Sequence, residues 1–368
     1  MHYHIIMTVR CNSNCTYCYN KSWDEPDNAL DNKFIFDFSA PCSFSVELDK
    51  LKKFIAQDKN AIIIFYGGEP LMETEKIMLI MDNINVPFRM QTNGKLLDKL
   101  PMEYIKKIGK ILISIDGTKE RTDKNRGNGT YEKIMKNIKK IRADGYDGEL
   151  IARMTISQET PDIFEQVKHL LNTEFNSIHW QIDCGFYKGD YNEEKFKKFV
   201  KEYNESISKL INYWIEYMRN GKVLKLYPFI AIIDSLLKNE KTKLRCGAGH
   251  SGYAIGTDGK IYACPIMNNI EDFAAGTIDD PPSKLKRFEI SGDCVNCEIK
   301  KLCGGRCIYW NKSQLWPKKG NEMICNTIKY YINELQNKLA VINELINNNT
   351  IKKEDFEHEK YFGPEIIP

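Results

Sequence analysis

The sequence has no apolar run approaching the ~18 residues that cross a bilayer. Its start lacks the order of a secretory signal, because Met1-His2-Tyr3-His4 leads almost at once into a strand-like stretch. No sign of charge dominates: 53 Lys and Arg stand against 50 Asp and Glu, a net charge of +3. The basic pairs Lys106-Lys107, Lys139-Lys140 and Lys197-Lys198 lie on helix-like segments and read as solvated faces. Neither a nucleic-acid partner nor a membrane association is expected. There is no internal repeat. A hydrophobic content of 42% and a charged content of 28% suit a soluble globular chain, and 368 residues allow one large domain plus a smaller one. What the sequence has in quantity is cysteine, twelve in all. Without a secretory signal, that number points to a reducing, cytoplasmic setting and to thiolates used for metal.

Residues 4–9 read as a short buried strand, and 19–45 as a long polar loop. Further strands are expected at 61–66, 86–92, 111–115, 149–156 and 177–183, separated by helical patterns such as the Ile134, Ile138, Ile141 stripe. Pro161 is placed to start one of these helices. Six strands alternating with helices imply parallel βαβ units, and such a sheet can curve into an open barrel. Functional groups of such folds gather at the carboxyl ends of strands. A long helix is expected over 193–221 and a short one over 228–238. A turn-rich module begins near Cys246, helix returns over about 322–347, and the last twenty residues are polar and carry no signal.

Cys11, Cys15 and Cys18 form C-x3-C-x2-C directly after the first strand. Four-iron clusters are normally held by four thiolates. Three in one loop leave an iron open to a ligand. A zinc site, or three ordinary buried thiols, is the competing reading of the triplet alone. With Tyr17 before the third cysteine, the motif resembles the signature of the radical S-adenosylmethionine (SAM) enzymes. Gly67-Gly68-Glu69-Pro70 resembles the second motif of that family, with Gly67, Gly68 and Glu69 receiving the SAM ammonium. The resemblance, over about residues 4–183, further implies that Thr92 and Asn93 contact the ribose. It places Ser114 and Asp116 at the SAM carboxylate or ribose, and Arg153 at the carboxylate. Arg126 is open between a structural and a substrate-facing role.

The second set runs Cys246, Cys264, Cys294, Cys297, Cys303, Cys307 and Cys325. On spacing alone, Cys294, Cys297, Cys303 and Cys307 also suit a zinc ribbon. The full series resembles the seven-cysteine SPASM domain. That resemblance implies one auxiliary cluster on Cys246, Cys264 and Cys307 and another on Cys294, Cys297, Cys303 and Cys325. The expected fold is therefore α/β: a partial (β/α)6 TIM-like barrel at 1–190, a helical bridge at 191–245, a SPASM auxiliary-cluster domain at 246–330, and a C-terminal helix and tail at 331–368. The cofactors implied are three [4Fe-4S] clusters and SAM. Asp183 and Cys184, at the end of the sixth strand, are the candidate catalytic residues. Cys184, Cys42 and His250 are the candidate fourth donors to the three-cysteine auxiliary set.

The resemblance implies hydrogen abstraction from a peptide or protein, leaving a thioether or carbon crosslink. A one-electron donor such as flavodoxin or ferredoxin is implied; with the chain beginning at strand one, any leader is expected to be bound by the barrel or by a separate leader-binding protein. Sulfatase maturation by formylglycine formation is the alternative within the family. A non-catalytic zinc or iron–sulfur scaffold is the alternative outside it.

Overall fold

The computed structural model describes residues 1–19, 30 and 33–368. Much of the loop expected at 19–45 falls on the residues outside that description. Nine strands form one sheet, in the order β6-β5-β4-β3-β2-β1-β7-β8-β9. They are β1 (His2–Ile6), β2 (Ile62–Tyr66), β3 (Phe88–Thr92), β4 (Ile108–Ser114), β5 (Glu149–Ile156), β6 (Ser177–Ile182), β7 (Gly252–Ile255), β8 (Lys260–Tyr262) and β9 (Ala274–Thr277). β1 to β6 pair in parallel through consecutive neighbours, as a βαβ succession requires. This is the α/β partial-barrel class expected, followed by a cysteine-rich region.

The turn-rich segment after Cys246 is not separate from that sheet. β7 pairs in parallel with β1, Tyr3 opposite Tyr253, and β8 and β9 continue antiparallel. These strands are three or four residues long and interrupted by glycine, too short for a periodic signal in the sequence.

Alternation sorts the two faces of the sheet. Tyr3, Ile5, Ile63, Phe65, Met90, Ile111, Ile113, Leu150, Ala152 and Met154 are buried in the main core beneath the helices. Polar groups stand among the residues of the opposite, concave face: His2, His4, Arg89, Gln91, Lys110, Glu149, Arg153 and His179. That face also carries a small separate cluster of Ile64, Leu112 and Ile151 with Tyr227 and Phe362.

Phe362 belongs to the tail that seemed uninformative. Glu359 accepts from His2 Nε2 (3.1 Å), Arg89 Nη2 (3.0 Å) and Lys110 Nζ (3.2 Å), all near the amino ends of strands. The Pro364 carbonyl meets His179 Nδ1 at 2.6 Å. The tail closes the lower end of the barrel, where polarity in the sequence is satisfied by polarity on the inner strands.

The helix expected at Pro161 begins instead at Phe164 and runs to Leu171. Ser206 Oγ, on the long helix Glu193–Arg219, accepts from both Ile163 N and Phe164 N at 2.9 Å. A side chain from a distant helix supplies the cap, so the local proline does not set the start. The C-terminal helix is two, Lys318–Asn337 and Leu339–Asn347, and the first packs along Glu193–Arg219.

Candidate active site and cysteine cavities

A cavity of about 150 Å³ opens at the carboxyl ends of the strands, lined by Cys11, Cys15 and Cys18. Their loop is held from several directions. Tyr17 Oη donates to Asp116 Oδ2, and Thr16 N donates to the Asn125 carbonyl at 2.9 Å. Tyr187 Oη donates to the Tyr17 carbonyl at 2.7 Å.

Asp116 is fully buried and fully used. It takes Arg126 in a fork (Nε to Oδ2 3.0 Å, Nη2 to Oδ1 2.9 Å), Asn125 Nδ2 at 3.2 Å and Thr155 N at 3.0 Å. Its carboxylate therefore ties the cysteine loop to β4 and β5 and does not line the cavity. Asp116, expected at the SAM carboxylate or ribose, has this tie among the described residues. Arg126 likewise pairs within the protein, and its guanidinium lies 5.3 Å from the centre of the Tyr17 ring.

Glu69 is likewise engaged within the protein. Its buried carboxylate accepts from Leu71 N (3.0 Å), Thr92 Oγ1 (2.7 Å) and Asn93 N (2.8 Å), and it is not part of the cavity wall. Burial raises its pKa, against these hydrogen bonds. Glu69 fixes Thr92 and Asn93, which do line the cavity. Asn93 Nδ2 then reaches Asn12 Oδ1 at 2.7 Å and Ser13 Oγ at 3.3 Å in the cysteine loop.

Gly67 and Gly68 bring backbone to the cavity edge. Gly67 has φ +142°, and a Cβ there would stand 2.3 Å from the Thr8 carbonyl oxygen; at Gly68 it would meet that of Arg10 at 2.3 Å. No other residue fits this crossing against the chain that leads into Cys11.

Ser114 and Arg153 face the cavity as expected. Arg153 donates through Nη2 to Gln181 Oε1 at 2.9 Å, and burial lowers its pKa. Asp183 lines the cavity too. Cys184 does not: its neighbour points inward, so it points outward, where it is fully buried. Its thiol, pushed up to about 12 by burial, meets Arg306 Nη2 at 3.3 Å. Sequence reading missed Tyr66, Gln91, Gln181 and Tyr187 in the wall. Gln91 and Gln181, polar interruptions in apolar strands, were a usable signal.

A second cavity, about 100 Å³, is lined by Cys246, Cys264 and Cys307, with His4, Tyr253 and the tail residues Phe362, Gly363 and Ile366. It shares Tyr66, Gln91, Arg153 and Ile266 with the first. A third is lined by Cys294, Cys297, Cys303 and Cys325. The cysteine partition by cavity is the one that the spacing resemblance implied. Each set also interacts electrostatically within itself: Cys264 with Cys307 and Cys246, and Cys325 with Cys294, Cys303 and Cys297.

No three His, Cys, Asp or Glu side chains among the described residues converge closely enough to hold a single metal ion. The thiols instead surround cavities, and that donor set suits a polynuclear iron–sulfur group. Cys42 is exposed, and His250 is occupied at both nitrogens, by Ser251 Oγ (2.8 Å) and the Leu244 carbonyl (3.2 Å). Neither of them, nor Cys184, lines the second cavity.

Residues 5–171 match the family model described as the Radical SAM superfamily. An uncharacterized protein of Archaeoglobus fulgidus is 25% identical over 82% of this chain and 72% of its own. The radical SAM cyclopropyl synthase TigE of Paramaledivibacter caminithermalis is 23% identical over 90% and 73%. A serine-type anaerobic sulfatase-maturating enzyme of Klebsiella aerogenes is 21% identical over 83% and 79%. Among solved structures, native anSMEcpe with bound AdoMet superposes with a TM-score of 0.72 at 19% identity, over 94% of this chain and 99% of that one. At that identity the likeness concerns the fold.

Proposed function

We propose that this chain, a radical SAM enzyme through the domain at residues 5–171, oxidatively modifies a peptide or protein. The family implies a [4Fe-4S] cluster and SAM. On our reading Cys11, Cys15 and Cys18 hold that cluster, and two auxiliary clusters sit on Cys246, Cys264, Cys307 and on Cys294, Cys297, Cys303, Cys325. When bound, the first cluster and SAM would supply radical hydrogen abstraction from the substrate, and the two C-terminal cysteine sets would hold groups able to take up the electron that an oxidised product gives up.

This chain's own residues do the rest. Backbone groups of Gly67 and Gly68 receive the SAM ammonium, Thr92 and Asn93 the ribose, and Ser114 and Arg153 the carboxylate. Arg153 suits that role because its buried guanidinium has a neutral partner, Gln181, and faces the cavity. Asp183 is the acid–base group at the wall. Gly67, Gly68, Tyr17 and Asn93 also hold the cysteine loop against the strands.

One observation carries the reading: the cavity of the first three cysteines and that of Cys246, Cys264 and Cys307 share Tyr66, Gln91, Arg153 and Ile266. A substrate group placed there stands between two thiol sets. A peptide substrate is further supported by a structural relative solved with the Cp18Cys peptide, at a TM-score of 0.69. The domain boundaries proposed are 1–190, 191–245, 246–330 and 331–368, with β7 to β9 of the third unit joined to the barrel sheet. A flavodoxin or ferredoxin is the proposed donor, and a separate protein is proposed to present a leader.

The test is anaerobic reconstitution, metal analysis, and incubation with SAM, dithionite and peptides encoded beside the gene. About twelve irons per chain, release of 5′-deoxyadenosine and a peptide that has lost a pair of hydrogens are expected. Stoichiometric zinc without deoxyadenosine would make the chain a binding scaffold. An aldehyde product from a Ser or Cys side chain would favour the second reading, sulfatase maturation, which the Klebsiella relative suggests.

A further inference from the structure

One charged side chain stands between the two cysteine cavities of the C-terminal half. Arg306 lines the cavity of Cys294, Cys297, Cys303 and Cys325, and its chain neighbour Cys307 lines the other. It is 5% exposed. Its Nη2 donates to the Ile182 carbonyl (3.1 Å) and Cys184 Sγ (3.3 Å). Nη1 donates to the Cys184 carbonyl (3.5 Å), and Nε to a backbone oxygen of Pro368, the last residue of the sequence (3.4 Å). Its guanidinium lies 5.5 Å from the ring centres of both Phe186 and Trp310. Among the described residues no Asp or Glu side chain pairs with it.

The backbone is bent to put it there. Arg306 has φ +52°, after Gly304 at +71° and Gly305 at +104°. A left-handed residue with a side chain costs on the order of 1 kcal/mol. The turn aims the N–H groups of Gly305 and Arg306 at the Cys303 sulfur and leaves the guanidinium buried beside the third cavity.

A buried cation is costly to desolvate, and anionic thiolate-held groups in the two neighbouring cavities would offset that cost. We infer that Arg306 is the shared counter-charge of the two auxiliary clusters, a positioning residue that holds both of their reduction potentials up. A nearby positive charge stabilises the reduced, more negative state of each cluster, and net charge around a cluster is among the determinants of its potential. The inference rests on the proposed two-cluster reading.

Arg306→Gln and Arg306→Lys, each reconstituted anaerobically in the full chain, test it by iron content and by redox titration followed by electron paramagnetic resonance. The Gln variant should keep its iron and lose at least about tenfold in the reduction equilibrium of both auxiliary clusters, ~59 mV for one electron. The cluster on Cys11, Cys15 and Cys18 should not move, and the Lys variant should shift less. Unchanged potentials with full iron, a shift confined to one auxiliary cluster, or an equal shift of all three overturns the inference. If the Gln variant loses iron, the Lys variant decides. Full loading near the original potentials upholds the charge, and loss of iron or an equally deep fall overturns it. About four irons in the unmodified protein would instead remove the cluster reading itself.

Discussion

The first cysteine loop and the C-terminal cysteine cavities present thiols in opposite ways. Cys11 is exposed, and its loop is fastened from outside by ionic and polar ties: Asp116 with Arg126, Glu69 with Thr92 and Asn93. Cys246, Cys264, Cys303 and Cys307 sit in cavities where burial raises every thiol. They receive backbone N–H groups, as at Cys303, and the tail lines the cavity of Cys246, Cys264 and Cys307. An open loop suits a ligand that comes and goes. An enclosed set suits a group that stays and passes charge.

The sharpest way to break the comparison is to remove the open set. Cys11, Cys15 and Cys18 changed together to Ala should abolish deoxyadenosine release while leaving about two thirds of the iron, read by iron and sulfide assay after reconstitution. Loss of all iron would mean that the two regions fold as one metal-dependent unit.

Asp116→Asn leaves Arg126 buried without its carboxylate. Breaking a buried pair costs about 3–5 kcal/mol, so a large fall in Tm and poor loading of the first loop are expected, with the C-terminal sets still loaded. An unchanged Tm would refute the tie.

Glu69→Gln keeps shape but faces the Asn93 N–H with an amide. Loss of a charge-assisted hydrogen bond costs about 1.5–3 kcal/mol, on the order of tenfold or more in SAM affinity if Asn93 shifts. Equilibrium titration reads this. Because Glu69 does not touch the cavity, thermal stability should fall in parallel, which a pure ligand contact would not produce.

The smallest effect concerns the tail. His2, Lys110 and Arg89 hold the Glu359 carboxyl down to about 2, although burial opposes them. A depressed carboxylate stabilises the fold above its unfolded pKa of ~4.3 and loses that contribution as pH falls toward 2. Glu359→Gln should therefore lower the Tm at neutral pH and show less acid sensitivity between about pH 5 and 3. Parallel curves for both proteins would remove the tail from the barrel floor.

Much of this arrangement was legible from residue order. The six parallel strands were legible because each carries a short, mainly apolar or alternating stretch followed by a loop of cysteine, glycine or a polar group. The sets Cys246, Cys264, Cys307 and Cys294, Cys297, Cys303, Cys325 could be separated because the spacing carries a family pattern. The roles of Glu69, Asp116 and Cys184 were not legible. Each stands where a ligand group is expected along the chain, but a side chain's partner depends on which strand lies beside it. Cys184 follows Asp183 directly, and one step along a strand exchanges the cavity for the core.

The order of residues by itself determined which side chains carry the chemistry and which end of the strands they occupy, since periodicity and motif spacing are local. Tertiary structure decided what those side chains touch. It joined β7 to β1, spent Glu69 and Asp116 on fastening the cysteine loop, and laid a polar tail into the polar floor of the barrel. It also set Arg306 in the wall of the cavity of Cys294, Cys297, Cys303 and Cys325. The reason is that buried charge and buried hydrogen-bonding groups must find partners, and those partners come from segments tens to hundreds of residues away, beyond the reach of any local pattern.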